Sequence, residues 1–283
     1  MPILGRRGLH MCAMSGIDLA LWDLLGKSLG CSVLALLGGP CRERVAAYAS
    51  GGWGDVDRIG PELAGYVERG FRAVKMRIGA MDGSIERSLA RVRAARRAIG
   101  PDVALMVDAH GTLSVAQAKQ FCAQAADLDL RWLEEPVSAD DRVGAQEVRS
   151  ASTIPIAAGE SEATCFDFRE LLAHGALDVL QPDLAICGGL SEGLRIAALA
   201  VSHQKELAPH CWGSAISFVA AQTLALHSPA GMCVEWPMGA DPLLRELPEQ
   251  DLAPRGGYLM RPKGPGWGLD LKRAAIEKYA RRP

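Results

Sequence analysis

Acidic residues and one histidine recur along this chain at nearly constant spacing. The six residues are Asp108, Glu134, Glu160, Asp183, His210 and Glu235. The gaps between them are 26, 26, 23, 27 and 25 residues, about the length of one strand, one loop and one helix. Each follows a short apolar run that predicts the end of a buried strand. Because a parallel barrel places its strand ends in a ring, the spacing predicts that all six side chains line one pocket.

Three of these carboxylates, Asp108, Glu134 and Glu160, follow successive predicted strands. Taken singly, each would more commonly be a helix cap or a solvated loop charge. Together they form a set of hard oxygen ligands that suits Mg²⁺, and clustered carboxylates repel one another unless a cation neutralises them. The sequence has no Cys and His set at zinc spacing. We therefore predict Mg²⁺ on these residues, with Mn²⁺ as the alternative.

An acid–base pair is predicted on the two following strands. A carboxylate such as Asp183 that hydrogen-bonds one ring nitrogen raises the basicity of the other, so His210 is a candidate general base or acid. Lys75 and Arg77 lie on one strand with one residue between them, so both should point into the barrel and hold a substrate carboxylate. Arginine is a poor proton acceptor because its pKa is above about 12. Glu235, if protonated, would donate a hydrogen bond to a developing oxyanion.

The segments that must position these residues alternate between strand and helix. The candidate strands are Val45–Ala49, Ala73–Ile78, Val103–Asp108, Leu130–Glu134, Ile154–Ala158, Val179–Gln181, Leu207–His210 and Met232–Glu235. The candidate helices between them are Ser84–Ile99, Val115–Ala126, Ala139–Ala151, Cys165–Ala173 and Gly189–His203. Helices between successive strands predict a parallel sheet, here an α/β fold of the (β/α) barrel type. A doubly wound sheet is the rival, but it predicts a glycine-rich turn after the first strand, which the sequence lacks.

The two ends of the chain have a different character. Ser15–Leu37 predicts a helix with a break near Gly30, and the glycine- and proline-rich tail predicts a strand near Tyr258–Met260 and a final helix over Leu271–Arg281.

Composition argues against several kinds of partner. The 31 basic and 33 acidic residues give a net charge of -2, which favours neither nucleic acid nor an anionic membrane. No apolar run reaches the roughly 18 residues of a membrane span, and Met1–His10 lacks the apolar core of a signal peptide. The eight cysteines are scattered without a CxxC pair, which predicts reduced thiols in the cytoplasm.

Eight short segments together resemble the enolase superfamily, specifically its mandelate racemase subgroup. In chain order they are IDLALWDLLGKSLG, VKMRIG, MVDAHG, WLEEPV, AAGES, LQPDLAICGGLSEG, APHCWG and VEWPMGADPL. The resemblance runs from about Ser15 to the C-terminus and implies a modified TIM-type barrel with an α+β capping domain. It implies that residues 1–44 are a remnant of the cap leading into the barrel, that 45–238 are the barrel, and that 239–283 return to the cap. The capping domain of the family opens with a longer N-terminal segment, so we expect this chain to be N-terminally truncated, with an incomplete cap.

The resemblance also implies roles for the strand-end residues. Asp108, Glu134 and Glu160 would bind Mg²⁺, and Glu135 would lie next to these ligands without binding the metal itself. Asp183 and His210 would transfer the proton, and Glu235 would contact the oxyanion. Two positions depart from the family pattern. Arg77 replaces the second base of the KxK motif, which favours one-base elimination or cycloisomerisation over racemisation. His110 replaces a common Asn, and we expect it to contact substrate.

The resulting hypothesis is a Mg²⁺-dependent lyase or isomerase, assembled as a homo-oligomer. It would abstract the proton alpha to the carboxylate of a sugar acid, with Lys75 stabilising the enediolate, and lead to dehydration or lactone cycloisomerisation. Two alternatives stay open at this point. One is a catalytically inactive barrel that has lost its lid, because an open site does not exclude water. The other is a racemase or epimerase of a 2-hydroxy acid.

Overall fold

A computed structural model describes residues 6–280 of the chain, and its centre is a parallel barrel. The strands are β1 (Arg44–Gly51), β2 (Ala73–Arg77), β3 (Ala104–Asp108), β4 (Leu130–Glu134), β5 (Ile156–Ala158), β6 (Val179–Leu180), β7 (Glu206–Leu207), β8 (Cys233–Pro237) and β9 (Tyr258–Met260). Hydrogen bonds join them in the order β7-β6-β5-β4-β3-β2-β1-β8, with every pairing parallel. Leu207 closes the ring by accepting from the Met232 N–H at 2.8 Å and donating to the Ala230 carbonyl at 2.9 Å. The predicted barrel is confirmed, and β9 adds to β1 in antiparallel orientation.

Helices surround the barrel, and further helices lie before its first strand and after its eighth. They are α1 (Leu9–Ser28), α2 (Val33–Leu36), α3 (Val56–Glu68), α4 (Ile85–Ile99), α5 (Val115–Gln124), α6 (Arg142–Ala151), α7 (Thr164–Ala173), α8 (Gly189–Ser202), α9 (Ala215–His227), α10 (Pro242–Arg245) and α11 (Arg273–Tyr279). The predicted break near Gly30 is confirmed, because α1 ends before it and Ser32 caps α2. Helices α3, α9 and the short α10 fall outside the predicted set. Helix α3 contains Pro61, a residue typical of helix ends, and α9 is buried nearly all round and has no polar face.

Alternation along the strands separates two apolar layers. The outer layer lies between the sheet and the helices, as for Leu105 and Val107. The inner layer fills the barrel and contains Tyr48, Met106, Trp132, Ala157, Val179, Ala208 and Cys233. The rings of Tyr48 and Trp132 meet edge to face at 5.5 Å between centroids. Because residues two apart share a face, the strand positions after this layer also point inward, which places the strand-end residues on a solid apolar floor.

Helix α1 packs against α8 and leaves part of its apolar surface exposed. Trp22 donates to the Ser191 hydroxyl at 3.1 Å, whereas Ile17, Leu21 and Leu24 are largely exposed. Within residues 6–280, no helix has both the length and the apolar character needed to cross a bilayer.

A group of ion pairs connects helices and strands at the end of the barrel where the strands begin. The Asp178 carboxylate, just before β6, accepts from Arg149 at 2.8 Å, from Lys205 at 2.9 Å and from the Ile156 N–H at 3.2 Å. Burial acts to raise the pKa of Asp178, but these donors outweigh it and lower the pKa to about 2. The ionised carboxylate therefore links α6, β5, β6 and the loop before β7.

We expect Asp178→Asn to lower the free energy of unfolding by about 2 kcal/mol at pH 7, since charged hydrogen bonds are lost. A depressed carboxyl pKa stabilises the fold above the unfolded value of about 4, and the contribution fades as pH falls toward about 2. Urea unfolding at pH 7 and pH 3 measures this, with exposed Asp127→Asn as the control. An equal loss at both pH values would contradict the charge-based explanation.

Candidate active site

A buried lysine occupies the centre of the barrel mouth. The Lys75 ammonium at the end of β2 is in ion-pair contact with Glu134 and lies 3.0 Å from Glu235 Oε1 and 3.9 Å from Asp108 Oδ2. Its residue is only 3% exposed. Burial acts to lower the pKa of Lys75, but Glu134 and Glu235 overcome it and raise the pKa well above the ordinary value. Lys75 is therefore a fixed cation and not a proton acceptor.

Asp183 and His210, from the loops after β6 and β7, form a hydrogen-bonded pair. His210 Nδ1 lies 2.7 Å from Asp183 Oδ2, and the Ala185 N–H holds the other Asp183 oxygen at 2.7 Å. The second ring nitrogen, Nε2, lies 3.4 Å from Glu160 Oε2 and 3.7 Å from Glu235 Oε2. Burial acts to lower the pKa of His210, but Glu235, Asp183 and Glu160 together raise it to about 10. A cation near Glu160 would offset part of that charge and lower the pKa of the ring.

The three carboxylates predicted to bind metal divide into two groups. Asp108 and Glu134 face Lys75, whereas Glu160 faces His210 and lies 3.2 Å from His110 Nδ1. Among the described residues, the metal-ligating atoms found within 4.8 Å of one another belong to His110, Glu135 and Glu160.

Two residues of the set formed by His110, Glu135 and Glu160 have unusual backbone conformations. His110 and Glu135 follow β3 and β4 with φ of 49° and 39°, which are uncommon for residues other than glycine and typical of functional sites. The His110 N–H donates to Asp108 Oδ1 at 2.8 Å, and the Glu135 N–H donates to the Ala157 carbonyl at 2.9 Å. These hydrogen bonds hold both residues in place at the strand ends.

The predicted substrate contacts, Arg77 and His110, lie at the rim of the mouth. Arg77 Nη2 is 3.4 Å from Asp108 Oδ2, and its side chain is partly exposed. The His110 side chain is more than half exposed. Both can therefore reach a ligand that enters the barrel from solvent.

Carboxyl groups outnumber cations in this mouth. The six are Asp108, Glu134, Glu135, Glu160, Asp183 and Glu235, while the permanent cations in contact with them are Lys75 and Arg77. Burial, followed by the charges of Asp108, Glu235 and Glu160, raises the pKa of Glu134 to about 7 even though Lys75 opposes this. The oxygen-rich, negatively charged set fits a hard divalent cation.

Glu235 behaves differently from Glu134. Burial acts to raise its pKa, but Lys75 and His210, helped by the Cys211 N–H at 2.9 Å, lower the pKa to about 2. In this arrangement Glu235 is ionised and accepts hydrogen bonds. Its predicted role as a protonated donor stays a prediction.

Two residues that hold the site were not among the candidates. Glu134 Oε2 accepts from Trp132 Nε1 at 3.0 Å and from Gln181 Nε2 at 2.7 Å. Gln181 lies two residues before Asp183, so strand alternation is the signal that would have placed it inside the barrel.

Comparison with known proteins identifies the family of this chain. Residues 59–275 match the family described as enolase C-terminal domain-like, and residues 3–38 match the N-terminal domain of mandelate racemase and muconate lactonizing enzymes. The chain belongs to the mandelate racemase subgroup of the enolase superfamily. The resemblance drawn from the eight sequence segments is thereby confirmed.

Several superfamily members resemble this one along most of its length. The D-galactarolactone cycloisomerase of Agrobacterium fabrum is 38% identical over 97% of this chain and 75% of its own length. The L-rhamnonate dehydratase of Saccharopolyspora erythraea is 38% identical over 99% and 70%. A Bradyrhizobium enolase, solved with magnesium and mandelic acid, superposes with a TM-score of 0.88 at 34% identity, covering 98% of this chain and 74% of that one.

For this superfamily member we expect Asp183→Asn to lower the pKa of His210, because the replacement removes a negative charge 2.7 Å from Nδ1. In metal-free protein the His210 ring should stay protonated at pH 8, and the variant should titrate at lower pH. NMR of the histidine ring Cε1–H signals measures this, with exposed His203 as an internal reference. An unchanged His210 titration would contradict the coupling.

Proposed function

We propose that this chain is a Mg²⁺-dependent lyase or isomerase acting on a sugar acid. It would remove the proton alpha to the substrate carboxylate, and dehydration or lactone cycloisomerisation would follow. The Asp183–His210 pair carries the proposal, because its second ring nitrogen, Nε2, enters the mouth, where Glu235 lies between it and the Lys75 cation. The similarity to a galactarolactone cycloisomerase and a rhamnonate dehydratase supports both the reaction type and the substrate class.

The pair of Asp183 and His210 is suited to moving one proton. When the imidazole is neutral, Nδ1–H donates to Asp183 and Nε2 is left as the acceptor. The proton alpha to the carboxylate passes to Nε2, its electron pair forms a double bond, and the oxygen on the beta carbon departs. Lys75 stays charged and stabilises the anionic carboxylate of the substrate throughout.

Arg77 supports elimination or cycloisomerisation over racemisation. A two-base racemase needs a second proton acceptor on the opposite face of the substrate carbon. The residue at this position is a guanidinium paired with Asp108, and arginine keeps its proton in proteins.

We further propose that Asp108, Glu134 and Glu160 hold Mg²⁺, or Mn²⁺ in its place. The metal would supply electrophilic stabilisation of charge on the substrate carboxylate. The surplus of carboxyl groups supports a cation here, and the magnesium in the Bradyrhizobium relative supports its identity. His110, Glu135 and Glu160 are the competing ligand set.

Calorimetric titration with Mg²⁺ distinguishes the two ligand sets. Glu160→Gln should abolish binding in either case, because both sets share it. Replacing a residue that only hydrogen-bonds a metal ligand typically lowers metal affinity roughly 10- to 100-fold. We expect Glu134→Gln to weaken Mg²⁺ binding by more than this, and Glu135→Gln to weaken it by less. The opposite order would assign the metal to His110, Glu135 and Glu160.

Replacing the proposed base tests the reaction. With a panel of sugar acids and Mg²⁺, we expect His210→Asn to lower kcat by at least about 100-fold, since general base catalysis is lost. His203→Asn, an exposed change outside the mouth, is the control. Undiminished turnover in His210→Asn would remove His210 as the base.

We also propose a cytoplasmic, homo-oligomeric protein. The eight cysteines are all free thiols, which supports a reducing compartment. The exposed apolar side of α1, formed by Ile17, Leu21 and Leu24, supports association with another chain.

A further inference from the structure

Two tryptophans at the barrel mouth have no part in the proton transfer described above. Trp53 follows β1, and Trp212 lies two residues after His210. Their rings meet at 85° with 5.7 Å between centroids, and the residues are 43% and 44% exposed. Two large aromatic residues left half-exposed beside a catalytic pocket mark a surface for binding.

We propose that Trp53 and Trp212 form an aromatic corner that binds the C–H face of a ring-form sugar acid. The proposal rests on the function proposed above and narrows its substrate class to lactones and anhydro sugars carrying a carboxylate. Open-chain sugar acids of the same size would be poorer substrates.

The corner lies on one sector of the mouth. The loops after β7, β8 and β1 are neighbours because β8 pairs with β1 and the β7 end closes against the start of β8. Gly239, just after β8, lies at their junction, and a Cβ there would be 3.7 Å from the Trp212 ring and 3.9 Å from the Trp53 ring. The carboxylates proposed to bind metal come from β3, β4 and the loop after β5, on other strands of the barrel. A ligand can therefore place its carboxylate toward one sector and its ring against the other.

The backbone on both sides of Trp53 is fixed by buried partners. Glu62 accepts from the N–H groups of Gly52 and Gly54 at 3.0 and 2.9 Å. Arg91, which is fully buried, donates to the carbonyls of the same two glycines at 2.9 and 2.8 Å. Gly52 has φ of 73° and lies so close to Met76 that a side chain would collide. Four hydrogen bonds thus present Trp53 in a set position, which reduces the entropy lost on binding.

The chain geometry also limits the position of Trp212. It follows Cys211, whose N–H is bound to Glu235, and His210, whose ring is bound to Asp183. Two residues of extended chain span at most about 7 Å, so the Trp212 Cα stays within that distance of the His210 Cα.

The chemistry of the indole surface selects between sugar forms. A flat aromatic face binds apolar C–H groups, and a lactone or anhydro ring gathers such groups on one face. An open-chain sugar acid turns hydroxyl groups to every side and gains less from the contact. The two perpendicular indole rings can contact both the face and the edge of one sugar ring.

A ring-form substrate also gives a balanced reaction. The alpha proton passes to His210 Nε2, a carbon–carbon double bond forms, and the bond between the beta carbon and the ring oxygen breaks with its electron pair on oxygen. His210 then gives its proton to that oxygen, or releases it when the oxygen leaves as a carboxylate. With a hydroxyl on the alpha carbon the double bond is an enol, which becomes a ketone as the hydroxyl proton moves to the beta carbon. The product has the composition of the substrate, so no co-reactant is needed.

Single substitutions test the corner with Mg²⁺ present. We expect Trp53→Ala and Trp212→Ala each to raise KM for ring-form acids by about tenfold, with kcat changed less than about threefold. Trp→Phe at either position should restore most of the affinity, and open-chain acids should be unaffected. The control is Phe166→Ala, which removes a ring that is 46% exposed on α7, away from the Trp53–Trp212 corner.

A binding measurement separates this proposal from the reaction. In His210→Asn, a ring-form acid should quench tryptophan fluorescence, and adding Trp212→Ala should remove most of the quenching. Quenching without turnover in the unmodified chain would keep the corner and reject the proposed reaction. Turnover of ring-form acids that both alanine variants leave unchanged, or a preference for open-chain acids, would overturn the corner alone. Absence of both turnover and quenching would overturn both.

Discussion

The ammonium of Lys75, enclosed among Glu134, Glu235 and Asp108, is the interaction on which the mouth of this barrel depends. An ionised group that leaves water must be paired, and breaking a buried pair by removing one partner costs about 3–5 kcal/mol. Lys75 comes from β2, while its partners come from β3, β4 and β8. One positive charge therefore draws together the ends of strands that are distant in sequence. Its charge lowers the pKa of Glu235 and opposes the effect of burial on the pKa of Glu134.

The two glutamates in contact with Lys75 differ in pKa because their other neighbours differ. Glu235 lies against both Lys75 and His210, and its pKa falls, whereas burial and like charges raise the pKa of Glu134. Environments that give neighbouring titratable groups widely different pKa values are characteristic of acid–base sites. His210 is turned by Asp183 so that Nε2 enters the same space. The surplus of negative charge that remains is the physical reason for expecting a divalent cation, which would also offset the repulsion between these carboxylates and an anionic substrate.

A second buried cation organises the rim. The Arg91 guanidinium donates to the Gly52 and Gly54 carbonyls, to the Arg77 carbonyl at 2.7 Å and to Asp82 at 2.8 Å. It thereby connects the loop that carries Trp53 with the end of β2 that carries Arg77. Helix α4, on which Arg91 lies, packs outside the barrel yet sets the positions of two mouth residues. Arg91 thus connects the loop before the aromatic corner to the strand that carries Lys75 and Arg77.

The sequence by itself determined the eight strands and the direction of the strand-end side chains, because period-two alternation and a repeat of about 25 residues are local properties. It also identified Asp183 and His210 as partners from successive units. Only the tertiary structure decided that Glu160 turns to His110 and His210 while Asp108 and Glu134 turn to Lys75. The tertiary structure alone also decided that Gln181 hydrogen-bonds Glu134 and that Glu62 and Arg91 hydrogen-bond the backbone of the loop that carries Trp53. It likewise brought the rings of Trp53 and Trp212 into contact. These contacts depend on side-chain rotamers and on packing between segments far apart in the chain, and neither is encoded in the spacing of residue types.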